Sequence, residues 1–445
     1  MASASTGQVS PKTLRKVIVA AGIGNFVEWF DFAVYGFLAT TIAQQFFPSG
    51  DASAALLKTF AVFAVAFAFR PLGGIFFGML GDRIGRKRTL AMTILLMAGA
   101  TTLIGVLPTY AAIGVMAPIL LSLIRCAQGF SAGGEYAGAC AYLMEHAPSD
   151  KRAWYGSFIP VSTFSAFAAA AVVAYALEAT LSAEAMGSWG WRLPFLIAAP
   201  LGLVGLYLRW KLDETPAFQA VTKEHAVAHS PLKETLRNHG AAICCLGAFV
   251  SLTALSFYMF TTYFATYLQV AGGLSRATAL LVSLIALIFA AAICPLAGLY
   301  SDKVGRRMTV MTVCALLIVV VYPSFLMASS GSFAASIIGV MLLAVGAVLC
   351  GVVTAALLSE TFPTRTRYTA SAITYNMAYT LFGGTAPLMA TWLISTTGSN
   401  LSPAFYLIAV AVLGLAGGLA LPETSRISLH DVQGQEKSAS VSAEA

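Results

Sequence analysis

The 445-residue sequence is 58% hydrophobic and only 10% charged, whereas soluble domains carry roughly 25% charged residues, so a water-soluble globular fold is excluded. The formal charge of +7 and pI near 9.0 do not indicate a nucleic-acid partner. All but five of the 26 lysines and arginines fall in the tails and in alternate loops, the pattern of a multi-pass membrane protein with both termini cytoplasmic.

The apolar runs are about 20 residues or longer with no period of two, which predicts helices and not barrel strands. A polar N-terminal tail, 1–16, leads into a long span, and no cleavable signal peptide is expected. Six spans follow, at about 17–40, 56–80, 89–107, 112–143, 155–178 and 193–211. A polar linker, 212–240, holds Pro216 and Pro231. Six more spans are predicted at about 241–270, 275–299, 308–327, 333–359, 368–395 and 402–421. The remaining residues, 422–445, are polar without heptads and are expected to be disordered. The expected fold is thus all-α, with twelve transmembrane helices in two pseudo-symmetric six-helix halves, 17–211 and 241–421.

The polar residues inside these spans are the candidate site, because an ionisable group at mid-bilayer costs about 2.5–3.5 kcal/mol on insertion scales. In span 1, Asn25, Glu28, Asp31 and Tyr35 share one broad face, with Trp29 beside them. In span 4, Arg125, Gln128 and Glu135 form one stripe. The expectation is that both faces line a wet vestibule. There Glu28, Asp31 or Glu135 carries a proton, while Arg125 holds an anionic substrate group or one of the carboxylates. The histidines at 146, 225, 229, 239 and 430 are all expected in loops or tails, which leaves a carboxylate as the proton carrier. Spans 7 and 11 offer neutral groups, Tyr258, Tyr263 and Asn376 among them, for substrate shape. Trp29, Tyr35, Tyr258 and Tyr263 suit a cationic nitrogen over an aromatic face.

The halves repeat. Gly78, Asp82, Gly85 and Arg86 recur as Gly298, Asp302, Gly305 and Arg306; Glu145, Pro148 and Arg152 as Glu360, Pro363 and Arg367; Glu214-Thr215 as Glu423-Thr424. Parallel six-span repeats are a building plan of secondary transporters. The loops Gly78-x-x-x-Asp82-Arg83-x-Gly85-Arg86 and Gly298-x-x-x-Asp302-Lys303-x-Gly305-Arg306 resemble the signature of the major facilitator superfamily. Glu28-Trp-Phe-Asp31, Arg70-Pro-Leu-Gly-Gly, Gly133-Gly-Glu-Tyr and Trp189-Gly-Trp-Arg192 resemble its metabolite:proton symporter family, with closest similarity to the bacterial proline/glycine-betaine branch. This resemblance implies a bacterial inner-membrane symporter of protons and a small metabolite or osmolyte, working by alternating access, with a di- or tricarboxylate as the alternative substrate. Asp82, Arg83, Arg86, Asp302 and Arg306 are expected to act as conformational latches.

Other classes lack their chemistry. The seven cysteines fall in apolar spans without metal-ligand spacing. A phosphate-binding Gly-x-x-x-x-Gly-Lys-(Ser/Thr) loop is absent, and so is any nucleophile–base set. The expected protein is therefore not an enzyme, uses no cofactor or metal, and works as a monomer in the bilayer.

Overall fold

The computed structural model describes residues 11–48, 52–211 and 231–425, together with 214, 215, 218, 219, 222, 427 and 429. Twelve membrane helices run through the described residues. In the first half they are α1 (Pro11–Phe37), α2 (Ala52–Ile84), α3 (Arg86–Val106), α4 (Met116–His146), α5 (Phe158–Thr180) and α6 (Leu193–Trp210). In the second they are α7 (Gly240–Tyr258, continued through a π-helical turn to Val270), α8 (Arg276–Val304), α9 (Arg306–Ala328) and α10 (Phe333–Glu360). They are completed by α11 (Arg367–Ala378, likewise continued through a π turn to Thr397) and α12 (Ser402–Ala420).

Ten helical segments are long and apolar enough to cross a membrane by composition alone; α4 and α11 do not reach that mark. The shortfall has a physical cause. Arg125, Gln128, Glu135 and Glu145 all lie on α4 and are buried, and α11 is polar in its first turns and broken by a turn at Gly384 and Thr385. Both helices turn their polar groups to the protein interior, where neighbouring helices and not lipid solvate them.

Three sequence boundaries move. The N-terminal helix starts at Pro11, inside the expected tail, because Leu14 and Val17 are buried against the bundle. The expected linker contains a short helix, Pro231–Asn238; most of 212–230, with His225 and His229, lies outside the described residues. Past α12, Leu421, Thr424 and Leu429 are buried and so belong to the fold, while residues 430–445 lie outside the described residues. His146, expected in a loop, ends α4 and is buried, with Nδ1 2.8 Å from the Tyr142 carbonyl oxygen.

Within the first half, α2 and α4 touch backbone to backbone. A Cβ on Gly129 would stand 1.9 Å from the Ala66 carbonyl oxygen, so only glycine permits the contact. The two halves meet where α2 packs on α11 and α5 on α8, and where α4 reaches α10 and α11. Two short loops, at Gly85 between α2 and α3 and at Gly305 between α8 and α9, have φ of 103° and 95°, a backbone region that favours glycine. Both loops lie at one end of the bundle, here called the basic end, with Arg83, Arg86, Arg152, Arg306 and Arg367.

Candidate functional site

At mid-bundle, two buried carboxylate–arginine pairs stand side by side on the first half. Glu28 of α1 bonds Arg70 of α2, Oε1 to Nη2 at 2.9 Å. Arg70 Nε donates to Asn376 Oδ1 of α11 at 3.4 Å, and Asn376 is itself fixed by donating to the Gly133 and Ala372 carbonyls at 2.6 and 2.8 Å. Four rings surround the guanidinium: Trp29, Phe32, Phe67 and Tyr379, with centroids 5.5–5.9 Å away. Such rings attract a cation through their negative faces. Tyr379 reaches this position because it opens the π turn of α11.

The second pair joins Asp31 to Arg125, Oδ2 to Nη1 at 3.0 Å. Arg125 also donates to Gln128 Oε1 at 2.8 Å, and Gln128 donates to Thr101 at 2.9 Å. The Tyr35 ring covers Arg125 at 4.3 Å, its hydroxyl anchored on the Thr59 carbonyl. The geometry therefore separates residues that the sequence left as possible partners. Arg125 meets Asp31 and not Glu28, and Glu28 takes Arg70, which the sequence analysis left without a role. Its depth in span 2 was the available signal. The expected vestibule between α1 and α4 is closed in this conformation: all four charged groups are buried.

A small cavity lies between the halves. Its walls include Trp29, Tyr136 and Phe164 from the first half and Thr253, Phe257 and Tyr379 from the second, and it encloses about 10 Å³, room for about one water. Trp29 and Phe257 meet edge to face at 5.0 Å. Asn25 serves the scaffold: it donates to Ser162 and Thr163 of α5 and accepts from Trp29 Nε1 at 3.1 Å. Tyr258 packs against Trp29 and Tyr379 beside the cavity. Tyr263 lies farther out, against Tyr267, and is not brought to the site. Toward the basic end, Tyr136 stacks on Tyr375 across the halves, centroids 4.2 Å apart and rings within 5° of parallel.

Glu135 sits closer to the basic end, paired with Arg209 of α6 and accepting from Thr93 at 2.6 Å. Arg209, counted in the sequence with the basic loops, is buried in α6; its position in the last turn of an apolar run hid it.

At the basic end the repeated motifs, the expected latches, form two matching clusters of ion pairs and helix caps. Asp82 accepts from the Tyr368 and Thr369 backbone N–H groups at 3.2 and 2.9 Å, and Asp302 from those of Ala153 and Trp154 at 2.9 and 2.8 Å. Each aspartate thus caps a helix of the other half, satisfying first-turn donors that have no partner within the helix. Arg86 and Arg306 bridge to these aspartates at 3.1 and 3.0 Å and to Glu145 and Glu360 at 3.3 and 2.9 Å. The remaining arginines cross over: Arg367 pairs with Glu145 of the first half at 2.8 Å, and Arg152 with Glu360 of the second at 3.7 Å. Glu214 and Glu423 cap α3 and α9 through the backbone N–H groups of Arg86 and Arg306. Partial burial alone would push Glu423 up, but N–H groups of Arg306, Ser425 and Arg307 hold its carboxyl below the usual carboxylate range. Arg83 is exposed on the last turn of α2. The repeat marks Glu145, Arg152, Glu360 and Arg367, which the expected latch had omitted.

Comparisons with known proteins agree with this architecture. The family model described as Major Facilitator Superfamily matches residues 21–387 and 273–443. The chain is 39% identical over 422 residues to the proline/betaine transporter of Salmonella typhimurium, covering 93% of this chain and 84% of that protein. It is 37% identical over 432 residues to the ectoine/proline transporter ProP of Corynebacterium glutamicum, covering 94% and 86%. Among solved structures, the proton:xylose symporter XylE bound to 6-bromo-6-deoxy-D-glucose superposes with a TM-score of 0.76 at 18% identity, over 96% of this chain and 100% of that one; at that identity the likeness is one of fold. Twelve helices in two repeated halves, reciprocal helix caps between them and this sequence similarity lead to one assignment: the chain is a membrane transporter, not an enzyme, and belongs to the major facilitator superfamily.

Proposed function

We propose that the chain is a proton-coupled symporter that imports a compact zwitterionic osmolyte, of the proline or glycine-betaine kind, by alternating access. The observation that carries this reading is the charge balance at the centre. Glu28, Arg70, Asp31 and Arg125 form two matched pairs beside a cavity walled by aromatic rings. A site that is neutral overall suits a substrate that is neutral overall, with its cationic nitrogen against Trp29 and Phe257. A di- or tricarboxylate needs surplus positive charge, and both central arginines are already matched. The relatives' names, proline/betaine and ectoine/proline transporters, support the same class.

Glu28 and Asp31 are the proton-carrying candidates, each paired with an arginine whose distance governs proton affinity. Glu135, paired with Arg209, serves the gate. Gln128 and Tyr35 hold Arg125, Asn25 holds Trp29, Asn376 holds Arg70, and Tyr258 backs the aromatic wall. The basic end faces the cytoplasm by the positive-inside rule, which puts both termini there, in a bacterial inner membrane. The monomer is taken as the working unit.

The test is uptake into proteoliposomes under an imposed inward proton gradient, with proline, glycine betaine, 2-oxoglutarate, citrate and shikimate as solutes. Proline or glycine betaine is expected to accumulate, and a protonophore to abolish the accumulation. Accumulation of 2-oxoglutarate or citrate alone overturns the zwitterion reading, and accumulation of betaine unaffected by the protonophore overturns proton coupling.

A further inference from the structure

We propose that Arg70 binds the carboxylate of the transported zwitterion by exchange: the substrate carboxylate displaces Glu28 from Arg70, and Glu28 takes up the proton that travels with the substrate. The inference rests on the symport reading above and adds to it a residue and an order of bond exchange.

Three observations carry it. First, the pair is incomplete. Arg70 Nη1 and Glu28 Oε2 are buried and have no hydrogen-bond partner among the described residues, although a buried polar atom left unpaired costs about 1–3 kcal/mol. A carboxylate engages a guanidinium best through two parallel N–H donors. On the Nη edge one donor, Nη1, has no partner and the other, Nη2, is held by Glu28. Bidentate binding there requires Glu28 to let go.

Second, the shell around Arg70 is divided between the halves. Glu28, Trp29, Phe32 and Phe67 belong to the first half, Tyr379 and Asn376 to the second. Separation of the halves removes Tyr379 and Asn376 and uncovers the guanidinium toward the cavity that Trp29 and Tyr379 line. Arg125 also has unpaired nitrogens, but the rings on it, Phe32, Tyr35 and Phe63, all belong to the first half. Opening therefore leaves Arg125 covered.

Third, release takes from Glu28 its ion-pair partner, Arg70. The nearest carboxylates, Asp31 on its own helix and Glu135 on α4, are repulsive, and the cation beside them on α4, Arg125, is held by Asp31. Tyr258 of α7 and Tyr375 and Tyr379 of α11 face the same pair, and Arg209 of α6 is held by Glu135. With Arg70 engaged elsewhere, the carboxylate takes a proton from the water admitted by opening. The charges then balance: guanidinium against substrate carboxylate, Glu28 neutral, and the substrate's cationic nitrogen on the rings, for one net positive charge carried across. On the other side Glu28 loses the proton, regains Arg70 and expels the carboxylate.

The test is calorimetric titration of the full chain in detergent, in buffers of different ionisation enthalpy, so that heat reports both affinity and protons bound. Glycine betaine is expected to bind with uptake of about one proton to wild type at a pH where Glu28 is ionised, and its affinity to weaken by up to tenfold per pH unit as pH rises. Glu28→Gln is expected to bind betaine with no proton uptake and no such pH dependence. Arg70→Gln is expected to lose about 10–100-fold in affinity. Proton uptake that survives in Glu28→Gln, or betaine binding to wild type with none, overturns the exchange while leaving the osmolyte reading intact; so does unchanged affinity in Arg70→Gln. Should 2-oxoglutarate bind in place of betaine, with a proton that Glu28→Gln abolishes, the exchange stands and the osmolyte reading falls. Binding of neither solute overturns both.

Discussion

Arg125 is held by a carboxylate, an amide and three rings that all come from the first half, and this makes it a fixed strut. Removing one member of a buried ion pair leaves the other charge uncompensated, at about 3–5 kcal/mol. Asp31→Asn is therefore expected to destabilise the protein by about that amount, read as a lower thermal midpoint in detergent. An unchanged midpoint would mean that Arg125 finds water or another partner. Glu28→Gln is expected to differ, because the exchange proposed above has Arg70 uncovered to alternative anions when the halves open. At this scale the sequence named the right residue types: Glu28, Asp31 and Arg125 are all central and buried. It did not show which carboxylate meets which cation, because helical periodicity fixes the face a residue shares and not the helix it faces.

Helix ends carry the proposed gate. Asp82 and Asp302 satisfy backbone donors of the opposite half, so these bonds exist only while the basic end is closed. Asp82→Asn keeps the shape but loses the charge that complements the helix N-terminus, an interaction of about 0.3–1 kcal/mol and up to about 2 when partly buried. Turnover is expected to fall more than substrate affinity, with transport rate and equilibrium binding measured on the same preparation; unchanged turnover removes the latch role. Helix faces carry the packing. Gly129→Ala places a methyl against the Ala66 carbonyl, and overpacking of this kind costs about 1–3 kcal/mol. A lower thermal midpoint is the expected outcome, and wild-type stability would show that α2 and α4 can move apart freely. The repeated Asp, Arg and Glu positions were legible in the sequence as echoes, yet the echo does not show that Arg152 and Arg367 exchange partners between halves.

For the molecule as a whole, reciprocal helix caps close the basic end, the Tyr136–Tyr375 stack adjoins the central cavity, and that cavity encloses about 10 Å³. In the proposed alternating-access cycle the halves part, and the contacts between α2 and α11 and between α5 and α8 are where they slide. Composition, apolar run length and the two-fold repetition determined the membrane setting, the twelve helices and the paired halves. Those properties depend on local hydropathy and on the bilayer's demand that every backbone polar group be satisfied within a helix. The apolar runs marked α4 and α11 as spans too, although both fall short of the other ten in length or hydropathy because their polar faces are solvated by neighbouring helices. Only the tertiary structure decided that Arg70 belongs with Glu28, that Arg209 belongs with Glu135, and that the chain past α12 is part of the closed end. Each of these pairings joins different helices or distant segments of the chain, and helix packing, not local sequence, sets which side chains come within bonding distance.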